Sequence, residues 1–273
     1  MPFVRDFEGD ELAQRVYLVL FGPGKIGKTR SALALVTDHN QYVFLLSVDS
    51  GILYVRQNPK LFKGKLGVYT EKGPWTLKRT RDNLKETTSR VKALMEKVPA
   101  EKVWVVLDTA THLQTALLAE ARRVVVKKGH GRELASISDE YEREMVTQVD
   151  YQVNLGHMAE VADALMGMPC NVVVNCLEKA ETKGRDKTGV MLPSLSGGAY
   201  TRIMGDADAV LRMESSEDGE RIFKTFVQGS DSGDRSGNLD RIEPADLKHI
   251  QRKMLGVSDT VSERPENAEA GTA

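Results

Sequence analysis

The sequence predicts an α/β protein: a mainly parallel central sheet flanked by helices, with a late antiparallel strand pair. Three observations predict it. Apolar runs at Tyr17–Phe21, Tyr42–Val48, Lys102–Thr109 and Asn171–Leu177 are continuous rather than alternating, as in strands buried on both faces. Segments of helical period separate them. Late in the chain, Ala209–Glu214 and Arg221–Val227 flank a turn at Asp218 and Gly219, which reads as two strands joined by a tight turn.

Composition sets outer bounds. Of 273 residues, 41% are apolar and 28% charged, an ordinary globular balance. The net charge of −1 gives no overall nucleic-acid signal, so any polyanion contact has to come from local patches. Cys170 and Cys176 are too few for a disulfide framework and lack the neighbours of a thiolate metal site. No run approaches a membrane span, and the first residues lack a signal peptide's apolar stretch, so a soluble, cytoplasmic protein is expected.

Taken in order, residues 1–14 read as an N-terminal arm or edge strand. The first central strand runs into Gly22-Pro23-Gly24-Lys25-Ile26-Gly27-Lys28-Thr29, which fits G-x-x-x-x-G-K-[ST], the phosphate-binding P-loop. Average residue frequencies put a chance match at about 1% for a chain this long. The glycines let backbone N–H groups wrap a phosphate chain, and the helix that follows adds its positive end. In this motif the Lys28 ammonium bridges the β- and γ-phosphates and the Thr29 hydroxyl ligates Mg²⁺.

The helix Thr29–Asp38 leads to the second strand, which ends in Asp49 and is expected beside the P-loop strand. Two readings of Asp49 stay open: a carboxylate that polarises the attacking water, or a cap for the next turn. Tyr54–Thr80 reads as irregular and basic, and as a solvated connection anchored by Trp75 in preference to a nucleic-acid surface with Trp75 as a stacking residue. Arg81–Lys97 has an amphipathic helix pattern with Leu84, Val91, Leu94 and Met95 inward. Lys102–Thr109 has the Walker B form, and Asp108 is the Mg²⁺-holding acid.

Ala110–Val126 reads as helix and precedes a glycine-containing segment with Lys127, Lys128 and Arg132. That segment is either a phosphate-backbone contact or a solvated loop. Ser138–Met166 continues as helix, with Ser138 as N-cap. Asn175 ends the next strand, placed to sense a γ-phosphate. A basic segment with Lys183, Arg185 and Lys187 follows, either a nucleotide-responsive loop on a polyanion or a β-hairpin with a charged tip. Arg235, in a glycine-rich stretch, is a candidate arginine finger for an adjacent subunit's γ-phosphate. The chain divides into the arm 1–14, an ATPase domain 15–256 and a disordered acidic tail 257–273.

This order of motifs resembles the ATPase core of RecA-like recombinases: YLVLFGPGKIGKT, YVFLLSVDSG, VWVVLDT, VVVNC, a basic segment, LPSLSGG and DRSGNLD. It looks most like the short phage-encoded members, catalogued as phage AAA-type nucleotide-binding proteins and grouped with single-strand annealing proteins. The likeness covers about residues 15–245. It implies a RecA-like P-loop NTPase fold, with ATP and Mg²⁺ bound through Lys28, Thr29 and Asp108. Asp49 stands where such ATPases usually carry a catalytic glutamate, one methylene longer, which implies either slow hydrolysis or no such role for Asp49. The Lys183–Arg185–Lys187 segment falls at the second DNA-binding loop of such proteins, and Lys127, Lys128 and Arg132 roughly at the first.

The function so implied is a DNA-dependent ATPase that binds single-stranded DNA in phage recombination or single-strand annealing. Its expected partners are single-stranded DNA, further copies of the chain in a ring or filament, and a single-strand DNA-binding protein, with no membrane. The alternative is a phage replication or packaging ATPase, such as a helicase loader, acting through a protein partner. A small-molecule kinase fits less well, because the Walker B segment is well formed and no arginine-rich lid is evident.

Overall fold

The computed structural model describes residues 15–49, 52–70, 74–127, 148–183, 186–226 and 232–257. The chain opens with β1 (Tyr17–Gly22), α1 (Lys28–Thr37) and β2 (Tyr42–Ser47). A short α2 (Leu53–Gln57) and a 3₁₀ turn lead to β3 (Leu66–Thr70). Then come α3 (Leu77–Met95), β4 (Val103–Asp108), α4 (Ala110–Lys127) and α5 (Gln148–Met166). The chain continues through β5 (Asn171–Lys183), β6 (Asp186–Pro193) and α6 (Gly197–Gly205). It closes with β7 (Ala209–Ser215), β8 (Arg221–Lys224), β9 (Gly233–Asp234), β10 (Ile242–Pro244) and α7 (Leu247–Met254).

The sheet order is β10-β8-β7-β1-β5-β4-β2-β3. Strands β7, β1, β5, β4, β2 and β3 run parallel; β8 and β10 add antiparallel on the β7 side. The α/β class and the late strand pair are as the sequence predicts. The continuous apolar runs are explained by the two cores. In β1, Tyr17, Val19 and Phe21 join the core beneath α3, α4, α5 and α6, while Leu18 and Leu20 join the one beneath α1 and α7. Val105 and Val106 in β4, and Val172 and Val173 in β5, split the same way.

The structure corrects several expectations. Strand β2 is not beside the P-loop strand, because β5 and β4 lie between them. The stretch 54–80 is less irregular than expected, since it contains α2 and the parallel edge strand β3. Trp75 is buried within it, as an anchor. Helix α3 begins at Leu77, earlier than Arg81, because the Thr76 hydroxyl accepts from the Arg79 N–H and caps it. Strand β5 runs on to Lys183 and pairs antiparallel with β6, so the basic segment is the hairpin of the two readings left open. Ser138 lies outside the described residues, as do residues 1–14 and 258–273.

At the ends of the strands opposite the P-loop, the buried Asn171 amide ties three strands and α7 together. Its Oδ1 accepts from the Val16 N–H at 3.0 Å and from Gln251 Nε2 at 2.9 Å, and its Nδ2 donates to the carbonyls of Glu101 and Val103, each at 3.1 Å. Asn171→Leu orphans these buried groups and is expected to cost about 2–4 kcal/mol. Urea unfolding checks this, and a loss under about 0.5 kcal/mol would show the network to be dispensable.

Candidate nucleotide-binding site

The site grows from β1. At Gly22 the chain must turn out of the sheet while passing close to β7, and a Cβ at that position would lie 2.4 Å from the Met213 carbonyl oxygen. Only glycine fits there. Lys25 takes a left-handed φ of 64° and Gly27 a φ of 118°, which brings the chain round to the start of α1. Gly27 is the N-cap of α1 and gives no side-chain cap bond. The first N–H groups of the helix therefore point, with its positive end, at the space the loop encloses.

Lys28 is buried, and its ammonium donates to the Gly22 and Pro23 carbonyls at 2.9 and 2.7 Å. Burial pushes its pKa below the usual lysine value, opposed chiefly by Asp108 and more weakly by Cys176, Glu178 and Asp49. Asp108, at the tip of β4, is 1% exposed. Its Oδ2 accepts from the Thr29 hydroxyl at 2.6 Å and its Oδ1 from the Asn175 amide at 3.0 Å. Burial raises its pKa, opposed by those two hydrogen bonds. Asn175, on the intervening strand β5, keeps a buried Oδ1 with no hydrogen-bond partner among the described residues.

This donor set fits Mg²⁺. One hydroxyl and one carboxylate, with a spare acceptor beside them, suit a hard cation that takes few protein ligands and keeps waters and substrate phosphates. Thr29 and Asp108 would hold it. Among the described residues no group of three or more His, Cys, Asp or Glu side chains is placed for another metal.

Asp49 is two strands away from β5, yet its charge acts on both Lys28 and Asp108. It follows Ser47, whose hydroxyl donates to the Asp49 carbonyl at 2.8 Å, and Ser47 lies level with Asp108. Helix α2 has Ile52 as N-cap with no side-chain cap bond. The Asp49 carboxylate instead lies 3.5 Å from His112 Nδ1, in the first turn of α4. His112 is in turn 3.1 Å from the Thr109 hydroxyl, which also accepts from the His112 N–H.

The structure therefore brings together Gly22 to Thr29, Asp108 and Asn175, with Asp49 at the rim. Arg235 is not part of this subunit's site. Its N–H donates to the Asp208 carbonyl, and the Asp208 carboxylate accepts from the N–H of Tyr17, at the start of β1. Arg235 thus sits at the opposite end of the sheet from the P-loop, and a finger role could be exercised only across a subunit boundary. Lys127 ends α4, Lys183 ends β5 and Lys187 lies in β6, opposite Thr182. The side chains of these three lysines, together with Lys128, Arg132 and Arg185, lie outside the described residues.

Sequence reasoning missed three features of the rim. His112, four residues after Asp108, had a local signal, since it falls in the first turn after a strand-end acid. Arg212 had none: it bridges Glu178 of β5 at 3.1 Å and Glu214 at 3.2 Å, a contact made only once β1 lies between β5 and β7. Arg221, at the start of β8, lies against Gly27, and only the tertiary fold places it there.

No helix among the described residues is long and apolar enough to cross a membrane. Comparison with solved structures aligns the chain with an ATPase from the type III secretion system of pathogenic bacteria. The identity is 12%, over 74% of this chain and 51% of that one, with a TM-score of 0.42. A second alignment, with the RadB recombinase, has 15% identity over 76% of this chain and 79% of that one, with a TM-score of 0.38. The chain thus spans about half the length of the secretion-system ATPase. Comparison with curated proteins finds no match. A family model described as an AAA domain matches residues 14–236, from just before β1 to just after Arg235. With the P-loop, the acid at the tip of β4 and Asn175 on the strand between them, the chain belongs to the AAA domain family.

Proposed function

We propose that this ATPase binds and hydrolyses ATP with Mg²⁺ and that the nucleotide governs its grip on single-stranded DNA during phage recombination or single-strand annealing. The observation that carries the reading is the path of β5. Asn175 bonds the Walker B acid, and eight residues on (183 − 175) the same strand reaches the basic tip of the β5–β6 hairpin. A change at the γ-phosphate is felt at Asn175 and carried along a paired strand to Lys183, Arg185 and Lys187. ATP then acts through its different interaction with two hairpin positions. The phage setting rests on the resemblance in motif order.

In this reading Lys28 leaves the loop carbonyls for the β- and γ-phosphates. The Asp49 carboxylate accepts a hydrogen bond from the attacking water, and Asn175 Oδ1 accepts another near the γ-phosphate. Thr29 and Asp108 would hold Mg²⁺, which would supply charge neutralisation for the phosphate undergoing transfer. Copies of the chain assemble as a ring or filament, which gives Arg235 its route to a neighbour's nucleotide.

Fluorescence anisotropy on labelled single-stranded DNA, with and without ATP and Mg²⁺, tests the proposal. Affinity should change with nucleotide and fall steeply with salt. Removing Lys183, Arg185 and Lys187 together should lower the slope of log K against log salt by about 2, at roughly 0.7 per phosphate contact on a single strand. Absence of DNA binding at low salt under every nucleotide condition would overturn it.

A further inference from the structure

We infer that Arg221 is a nucleotide-binding residue that grips the part of the ligand shared by ATP and ADP, on the side of the P-loop away from Asp108. The inference deepens the nucleotide-site reading and rests on it. Strand β7 runs parallel to β1 with Arg212 level with Phe21, and β8 returns antiparallel with Arg221 opposite Ser215. Arg221 is therefore carried three residues beyond Phe21 (215 − 212), to the height of the loop rather than of the sheet. Its side chain lies against the last P-loop glycine. A Cβ on Gly27 would meet Arg221 Nε at 2.6 Å and Cζ at 2.8 Å.

The charge environment separates Arg221 from its neighbours. Arg212 is held between Glu178 and Glu214, and Lys224 is paired with Glu214. Those cations are already neutralised by carboxylates. Arg221 is exposed and has no carboxylate partner or side-chain hydrogen bond among the described residues. An unpaired guanidinium resting on a phosphate-binding loop is a donor fork placed for phosphate oxygens.

Sheet order decides which phosphates these are. Asn175 and Asp108 stand on β5 and β4, to one side of β1, and mark the γ-phosphate end. Arg221 enters from β8, on the other side of β1. A phosphate chain lying along the loop presents its α- and β-phosphates, and the nucleoside beyond them, toward Arg221. The ligand class is thus a nucleoside diphosphate moiety, whether or not a third phosphate is attached.

Isothermal titration of ATP and ADP into parent, Arg221→Ala and Arg221→Lys protein tests this. Arg221→Ala should weaken ATP and ADP by the same factor, about tenfold to a hundredfold for a lost charge-assisted contact, with the ratio of the two affinities unchanged. Arg221→Lys should recover part of the loss. Arg221→Gln, which keeps the stem against Gly27, gives the same answer if the alanine variant folds poorly. Unchanged affinity for both nucleotides would overturn the inference, as would a loss confined to ATP, because that would place the guanidinium at the γ-phosphate. If the parent itself binds neither nucleotide, the site reading fails first and this inference falls with it.

Discussion

Lys28→Ala is expected to weaken ATP binding by about 2–5 kcal/mol, or roughly thirtyfold to several thousandfold. The size of the effect follows from burial. Lys28 is 5% exposed, and burial already lowers its pKa, so the ammonium is held in a poorly solvated place. Among the described residues it donates there to the Gly22 and Pro23 carbonyls, a weak substitute for phosphate oxygens. A triphosphate supplies the missing charge, and the alanine variant cannot answer it. The fold should survive at a cost of about 1–3 kcal/mol, because the substitution leaves one buried carbonyl, that of Gly22, and one part-buried carbonyl, that of Pro23, without the ammonium. Titration calorimetry reads the affinity, and thermal unfolding without nucleotide checks the fold. An affinity equal to the parent's would remove the P-loop from the binding site.

The parts of this site that were legible in the sequence are those whose physics is local. A glycine-rich turn between an apolar run and a helix requires Gly22, Gly27, Lys28 and Thr29 within eight residues, so the motif announces itself. Asp108 was legible as the acid that ends a buried strand. What local sequence does not carry is strand order. Asp49 was expected beside the P-loop strand, but its neighbour relations depend on where β4 and β5 insert, which is set by packing on both faces. Strand β3 was hidden for a related reason. Gly67 breaks its pattern, yet glycine is suited there because it lies across from Phe44, whose ring would sit 3.0 Å from a Cβ at that position. Arg221 and the Arg212 bridge were invisible for the same cause, since each exists only through the register of β7 on β1. The hairpin at Lys183–Lys187 was one of two readings because a charged, glycine-containing segment pairs or does not pair according to its partner strand, not its own composition.

Asp108→Asn should separate chemistry from folding. An asparagine at 108 can accept from one of its two partners, the Thr29 hydroxyl and the Asn175 amide, and donate to the Thr29 oxygen, so the local bonds can be remade. The negative charge cannot. Without it the hydroxyl–carboxylate pair no longer suits Mg²⁺, and turnover should fall by about a hundredfold or more, because neutralising the developing phosphate charge is worth several kcal/mol. Nucleotide affinity measured in EDTA should stay close to the parent's, while the Mg²⁺-dependent gain should shrink. Stability should move the other way. Burial raises the pKa of Asp108, so its contribution favours folding while it is protonated and is lost as pH rises through the folded-state value. At neutral pH the ionised form is a liability that asparagine removes, so the variant without nucleotide should melt above the parent, with the difference vanishing in acid. A variant that turned over ATP at the parent's rate would take Asp108 out of the reaction; one that melted below the parent at neutral pH would show that the carboxylate's two hydrogen bonds outweigh its desolvation.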